Sequence, residues 1–576
     1  MEDLPGSFDV VILGTGLPES IIAAASSRLD KSVLQLDSNA FYGRDWAGFR
    51  LDDFRDHLRA SSSGGNSSAL RNPYEIPEGL IKSDEIILEV PCQAQSVTNF
   101  EEVIYAKNET VEPDIAPQSR QERYRRLSQR HPSGSSIGSN GSQSESSSSV
   151  STPTVSPYKP ITFEDVLSQT RKFSLDIAPK LFWTNDAFVN LLTNSNISRY
   201  TAFRLVQVIA TAVEGRIVEV PFSRSGIFNY ADLDASDKRR VMKFMQTCTQ
   251  SEGHEKELEA AKSLSIKEYL SKLKIPLHTV HSIVNAIALC STQTPAVEAF
   301  SRVRRFLAAC GRYSSDSSPF LFPIYGCGEY PQYFARISAV FGGIQYLKRG
   351  IDFIVMDSSL KQVNAIISEK KRIDCQSLVI PVEYMPAQLK ILGLLTKQIS
   401  RAVLITSGSL FVRHKPDAAF MRLGKEDDEL GVIIVEGSPN TEICPKDYHV
   451  VYMWMKSIAT AREDLEPYVK RFFEPMRADY FPIDKPKVLW VCYYNHAQTI
   501  VNTTDSAQHP KNIRFVSGPD GSLDYESVLE EATGVFRSIY PDVPFLPRVP
   551  DPEDVILDGG ENAESGDKSI TVPNGM

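Results

Sequence analysis

Apolar and polar positions at the start of the chain follow the order strand, turn, helix, strand. The pattern predicts a strand over residues 9–13, a helix over 17–28 and a second strand over 32–37. The turn before the helix, residues 14–16, is rich in glycine. A βαβ unit with such a turn is typical of a doubly wound α/β domain built on a parallel sheet.

Residues 236–310 change to a purely helical pattern. Apolar residues at i, i+3, i+4 and i+7 occur three times: Val241, Phe244, Met245 and Cys248; Val280, Ile283, Val284 and Ile287; and Val303, Phe306, Leu307 and Cys310. Alanines beside these stripes either let helices approach closely or leave room between them. The pattern is therefore compatible with a helical subdomain that packs its own core, and with one that also keeps an apolar cavity for a lipid.

The remainder of the chain returns to short β-like runs. They lie at residues 352–357, 402–406, 431–437, 448–455 and 487–494. We expect these runs to form a second sheet beside the doubly wound one. Residues 461–473 have the pattern of an amphipathic helix.

Two segments have compositions that cannot bury a core. Residues from Glu112 to Pro157 are polar and dominated by serine, which predicts a disordered insertion, and the acidic chain after about Pro550 is expected to fray. These changes divide the chain into six predicted segments: a first part of domain I (1–110), the insertion (111–159), a continuation of domain I (160–228), a helical domain II (229–312), the completion of domain I (313–550) and an acidic tail (551–576).

Composition argues against several classes of function. A formal net charge of −10 disfavours a general nucleic-acid-binding protein. The 8 cysteines are scattered without a C-x-x-C pair, and the 9 histidines form no metal-binding or catalytic motif. No apolar run is long enough to span a bilayer. These features predict a cytosolic protein with neither a disulfide framework nor a metal site.

The glycine-rich turn departs from the dinucleotide-binding fingerprint. Gly14 and Gly16 match its first two glycines, and Asp37 lies where the ribose-binding acid is expected. The third glycine is replaced by Glu19, whose charge and bulk oppose a phosphate, and Pro18 removes a backbone N–H donor. The residues favour a nucleotide-binding type of fold that holds no dinucleotide and no other cofactor.

Two long motifs, DSNAFYGRDWAGF at 37–49 and FLFPIYGCGEYPQYFARISAVFGGIQYL at 320–347, resemble the superfamily of Rab GDP-dissociation inhibitors and Rab escort proteins. Shorter supporting motifs are RKFSLDIAPKLFW (171–183), ISRYTAF (197–203), ISRAVLIT (399–406), TAREDLEPYV (460–469), KPKVLW (485–490) and DPEDVILDG (551–559). The resemblance covers about residues 8–110 and 160–560. The escort branch fits best, because dissociation inhibitors are shorter and lack a long insertion here.

The resemblance implies a flavoprotein-like α/β fold without flavin, with an associated sheet and a smaller helical domain. It further implies a non-catalytic accessory subunit that binds GDP-bound Rab GTPases. Such a subunit presents the Rab C-terminal cysteines to the Rab geranylgeranyl transferase heterodimer and then carries the prenylated Rab to membranes. The zinc and the prenyl diphosphate belong to that transferase. Two alternatives are a Rab GDP-dissociation inhibitor and, on the same fold, a flavin-dependent oxidoreductase.

The family's Rab-binding platform maps onto Tyr42, Glu329 and Arg336, and less securely onto Arg171. The chain departs from the family's Y-G-G turn at Arg44, which replaces a glycine. Segment 229–312 corresponds to the family's helical domain, which receives the geranylgeranyl chain and docks the transferase. The candidate residues lining a cavity for this lipid are Phe244, Val280, Ile283, Ile287 and Phe306.

Overall fold

The computed structural model describes residues 4–63, 79–91, 96–105, 161–250, 255–389, 394–425, 428–475, 485–501 and 510–548. The predicted insertion (111–159) and acidic tail (551–576) lie outside these residues. The first eleven strands are β1 (Ser7–Leu13), β2 (Val33–Asp37), β3 (Gly48–Phe49), β4 (Glu85–Glu89), β5 (Val97–Ile104), β6 (Leu175–Asp176), β7 (Phe182–Trp183), β8 (Phe203–Leu205), β9 (Val208–Val213), β10 (Arg216–Glu219) and β11 (Phe320–Pro323). They are followed by β12 (Ile344–Leu347), β13 (Phe353–Asp357), β14 (Val363–Ser368), β15 (Lys371–Pro381), β16 (Leu394–Thr406), β17 (Ala418–Lys425), β18 (Asp428–Gly437), β19 (His449–Lys456), β20 (Glu474–Pro475), β21 (Lys487–Val501) and β22 (Ile513–Val516).

The α-helices lie between these strands, and six of them follow one another between β10 and β11. They are α1 (Leu17–Ser27), α2 (Leu51–Ser62), α3 (Phe163–Leu167), α4 (Ala187–Asn194), α5 (Arg224–Asn229), α6 (Ala235–Thr249), α7 (Glu255–Ala261), α8 (Ile266–Lys272), α9 (Leu277–Ser282), α10 (Ala296–Ala309), α11 (Glu329–Val340), α12 (Ala461–Phe472) and α13 (Glu526–Ile539).

The first sheet contains the predicted βαβ start. Its strand order is β12-β2-β1-β15-β14-β13-β4, and β22 also pairs with β15. Strands β12, β2, β1, β15 and β22 run parallel, whereas β13, β14 and β4 add antiparallel pairs. Val10 of β1 lies opposite Val33 of β2, as the doubly wound pattern requires. Helices α1, α11 and α13 cover one face of this sheet.

A second, nine-stranded sheet has the order β10-β9-β17-β18-β19-β16-β21-β20, with β5 beside β21. Its strands contain four of the five later β-like runs, so a second sheet is present as predicted. The prediction is wrong for the run at 352–357, because this run forms β13 and pairs with β14 and β4 in the first sheet. Helix α12 covers one face of the second sheet with Leu465 and Val469 among its buried residues. The opposite face joins the helical segment in one continuous apolar cluster, which includes Phe420 and Trp454 of the sheet.

The helical segment follows the predicted stripes with two irregularities. Helices α5 to α10 occupy residues 224–309, but Ile283–Ile287 form a π-helical turn in which the Ala288 N–H donates to the Ile283 carbonyl at 2.7 Å. The third stripe also weakens at its end, where Cys310 is half-buried and lies beyond α10. No helix in the described ranges is long and apolar enough to cross a membrane.

Candidate functional site

The turn between β1 and α1 is filled by the chain's own charged side chains. Glu19, on the first turn of α1, is 2% exposed, and its Oε1 accepts a hydrogen bond from Arg44 Nη1 at 3.1 Å. The guanidinium of Arg44 also lies 3.7 Å from Glu383 Oε2 and 4.9 Å from the centroid of the Tyr384 ring. Thus Arg44, the departure from the family's turn, is the ionic partner of Glu19, the departure from the dinucleotide fingerprint.

A second set of contacts ties the turn that contains Tyr42 to the glycine loop. The N–H of Gly43 donates to the carbonyl of Thr15 at 3.0 Å and to its Oγ1 at 3.1 Å. Thr15 in turn donates through its backbone N–H and its hydroxyl to Asp37 Oδ2, at 2.8 and 2.6 Å. The other oxygen of Asp37 accepts the Asn39 N–H at 2.8 Å. These bonds fix residues 42–44 against the end of the parallel sheet.

These residues do not fit a dinucleotide. A Cβ added at Gly14 would meet Arg44 Cδ and Glu19 Oε1, both at 3.0 Å, so these side chains fill the space before the loop. A carboxylate stands at the helix N-terminus, where a diphosphate would need N–H donors and positive potential. Both oxygens of Asp37, the candidate ribose ligand, accept bonds from the chain itself. The dinucleotide type of fold is therefore used here as a scaffold.

Burial raises the pKa of Glu19 to about 7 from an ordinary 4.5, because desolvation outweighs the attraction of Arg44. Between these two values the folded protein holds a proton that the unfolded chain has released. The stability that this proton contributes is full below pH 4.5, declines as the pH rises and is lost above about 7. The Glu19→Gln variant lacks this titration.

We therefore expect wild-type stability, relative to Glu19→Gln, to fall by up to about 3 kcal/mol between pH 4.5 and 7. Urea unfolding of both proteins across this pH range measures the difference. A difference that stays constant with pH would contradict the buried, proton-binding state of Glu19.

The structure connects Tyr42 with the helix that carries Glu329 and Arg336. The Tyr42 hydroxyl donates to Gln345 Oε1 at 3.2 Å, and Gln345 Nε2 donates to the Ala335 carbonyl of α11 at 2.7 Å. Near the start of α11 the chain passes so closely that a Cβ on Gly328 would lie 2.6 Å from Gly48 Cα. The turn that contains Tyr42 and the helix α11 therefore form one connected surface.

Glu329 and Arg336 lie two turns apart on α11. Burial raises the pKa of the half-buried Glu329, whereas Arg336 is exposed. Neither makes an ion pair with another residue in the described part of the chain. The guanidinium of Arg336 lies 4.7 Å from the centroid of the Tyr200 ring, and Tyr200 is 55% exposed.

Arg171 lies apart from this group. It is exposed in a short 3-10 turn, Thr170–Lys172, and lines a separate cleft with Tyr325. Tyr325 precedes Glu329 by four residues, and its carbonyl accepts a bond from Ser174 Oγ at 2.7 Å. The structure thus places Arg171 next to the segment that leads into α11, without direct contact to Tyr42 or Arg336 among the contacts described.

The five candidate lipid-lining residues are buried in the apolar cluster shared by the helices and the second sheet. They are Phe244, Val280, Ile283, Ile287 and Phe306, each at most 4% exposed. Of these only Ile287 lines a described cavity, a groove of about 380 Å³ between α10 and the second sheet that also contains Trp183 and Phe420. Their role in lipid binding stays a prediction.

A family model of the GDP dissociation inhibitors matches residues 2–74 and 142–467. The chain is also 31% identical to Rab proteins geranylgeranyltransferase component A 1 of Rattus norvegicus, over 99% of this chain and 96% of the relative. The chain belongs to the GDP dissociation inhibitor family.

Other members of the family show the same full-length similarity. Component A 2 of Homo sapiens is 31% identical over 97% of this chain and 94% of its own, and Rab escort protein 1 of Arabidopsis thaliana is 23% identical over 93% of each. The crystal structure of a Rab GDI from Plasmodium falciparum superimposes with a TM-score of 0.59 and 15% identity, over 93% of this chain and 99% of that one. The predicted GDI-like α/β fold is confirmed.

Three contacts in this region were not predicted from the sequence. Tyr200 and Gln345 both lie in motifs that carried the resemblance, but their contacts join segments far apart in sequence. The pairing of Arg44 with Glu19 could have been suspected, since the two departures carry opposite charges. The two residues are 25 positions apart, and over such a separation each has many other possible partners of opposite charge. Charge alone therefore does not predict this ion pair.

Proposed function

We propose that this chain is a non-catalytic escort subunit for Rab GTPases. It binds newly made Rab in the GDP-bound form, presents the Rab C-terminal cysteines to the Rab geranylgeranyl transferase heterodimer, and carries the prenylated product through the cytosol to membranes. The observation that carries the proposal is the similarity to component A proteins along nearly the whole of both chains.

The surface made by Tyr42, Glu329 and Arg336 is the proposed Rab-binding platform. It combines a half-buried aromatic ring, an exposed guanidinium and a partly desolvated carboxylate, and both charged groups lack ion pairs with described residues. Aromatic and arginine side chains of this kind dominate the energy of many protein interfaces. Charges left unpaired in the free protein give orientation and specificity to the complex.

The helical segment is the proposed site for the geranylgeranyl chain. At ~0.8 kcal/mol per CH₂, burying a chain of about 20 carbons has an upper bound above about 10 kcal/mol. A free energy of this size lets the protein compete with a membrane for the lipid. Because Phe244, Ile283 and Phe306 are packed in the core, the lipid can reach them only if helices separate. Ile287 is already accessible from the groove beside α10.

Assembly of the three proteins tests this proposal. The purified chain, a GDP-bound Rab and the transferase heterodimer are mixed and separated by size-exclusion chromatography with light scattering. We expect one complex that contains all three and that loses Rab when this chain is omitted. A chain that binds Rab but not the transferase would instead be a GDP-dissociation inhibitor, and one that binds neither would contradict both interpretations.

A further inference from the structure

An open cleft of about 440 Å³ lies next to the proposed platform, between the Thr170–Lys172 turn and the loop that precedes β19. Arg171, Lys172 and Lys446 line it and are exposed. Within the described ranges none of the three makes an ion pair. Among the described residues, Glu442 is the only carboxylate lining the cleft. The cleft is therefore a local concentration of positive charge on a chain whose formal net charge is −10.

Tyr325 lines this cleft in an unfavourable backbone conformation. Its φ is +70°, a region that side chains other than glycine rarely occupy, and its side chain is 55% exposed. The backbone is held there from both sides, since the Tyr325 N–H donates to the Thr441 carbonyl at 3.0 Å and its carbonyl accepts from Ser174 Oγ at 2.7 Å. Glu442, on the same cleft, also has a positive φ of +59°.

Strained residues held in place by their surroundings concentrate at binding sites. Here the constraint keeps more than half of an aromatic side chain exposed in a cleft that three cations also line. The same segment continues after four residues into Glu329 at the start of α11. The cleft is therefore joined to Glu329 of the proposed platform by a short stretch of backbone.

We infer that this cleft binds an acidic, extended segment of the GTPase, with Lys172, Lys446 and Tyr325 as binding residues beyond the predicted platform. This inference rests on the proposed function. Carboxylates of the segment pair with the cations, and the ring of Tyr325 packs against its backbone and apolar atoms. The cleft is open to solvent and is lined by Pro439 and Pro445, so an extended peptide segment can lie along it.

Charge reversal tests the inference. The Kd of a GDP-bound Rab for the full chain is measured by fluorescence titration at low and physiological salt, for wild type and for Lys172→Glu/Lys446→Glu. We expect the double variant to bind at least about ten-fold more weakly at low salt, and its Kd to depend less on salt than that of wild type. Tyr325→Leu, which removes the aromatic ring, should weaken binding by about three-fold.

The matched control is Lys82→Glu/Lys361→Glu. These two exposed lysines lie near β4 and β13, at the edge of the first sheet opposite β12, and the control makes the same change of net charge. If the control weakens binding as much as the cleft variant, or if the cleft variant binds like wild type, the inference is wrong. If the wild-type chain itself fails to bind Rab, the proposed function is wrong.

Discussion

Replacing Arg336 with alanine should weaken Rab binding by about 10- to 100-fold while the fold stays intact. Arg336 is exposed on α11 and makes no ion pair with any described residue, so its removal leaves no charge unpaired inside the chain. In a complex, a buried arginine at an interface typically contributes about 1–3 kcal/mol. Isothermal titration of the variant with a GDP-bound Rab measures the effect.

Arg413→Ala is the matched control, since Arg413 is exposed, makes no ion pair with described residues and lies on the loop after β16. Tyr200→Leu should give an intermediate loss, because Tyr200 orients the guanidinium at 4.7 Å without carrying its charge. Unchanged affinity in Arg336→Ala, with wild-type thermal stability, would remove Arg336 from the platform.

Replacing Arg44 with alanine should destabilise the protein by about 3–5 kcal/mol, because two buried carboxylates, Glu19 and Glu383, then lose their shared cation. Trp46, buried two residues away, reports on this region in urea unfolding followed by fluorescence. Arg44→Gly should be about 1 kcal/mol less destabilising than Arg44→Ala, since Arg44 has a φ of +49°.

The double variant Arg44→Ala/Glu19→Gln separates charge from packing. Removing the Glu19 charge together with its partner should recover part of the lost stability, so the two substitutions should be strongly non-additive. Strict additivity would show that Arg44 acts through packing alone. In that case the ion pair would not be what fixes the turn next to Tyr42.

Much of the fold could be predicted from local patterns. The βαβ start and strands β18 and β19 of the second sheet are short, largely buried apolar runs bounded by turns. Helix α12 instead buries residues at a helical period, namely Ala461, Leu465, Val469 and Phe472. The π-helical turn at Ile283–Ile287 could not be predicted, because the apolar spacing there is that of a regular helix. Its geometry depends on tertiary contacts, such as the bond from Asn285 Nδ2 to Thr211 Oγ1 at 3.1 Å.

The sequence proposes residues for the candidate site but does not predict the contacts between them. Position along one helix was enough to relate Glu329 to Arg336, since a separation of seven residues is two turns. The route from Tyr42 through Gln345 to α11 spans 303 positions of sequence, and no local pattern encodes such a contact. The same holds for the cleft at Tyr325, which is assembled from three distant segments.

The central claim, that this chain enables Rab prenylation, is tested most directly by transfer of labelled geranylgeranyl to a GDP-bound Rab by the purified transferase. With the chain present we predict rapid labelling of the Rab C-terminus, and with the chain omitted almost none. The Arg336→Ala variant should reach the same rate of Rab labelling only at a higher concentration of the variant chain, in proportion to its weaker affinity for Rab. Equal labelling of Rab with and without the chain would contradict the escort function.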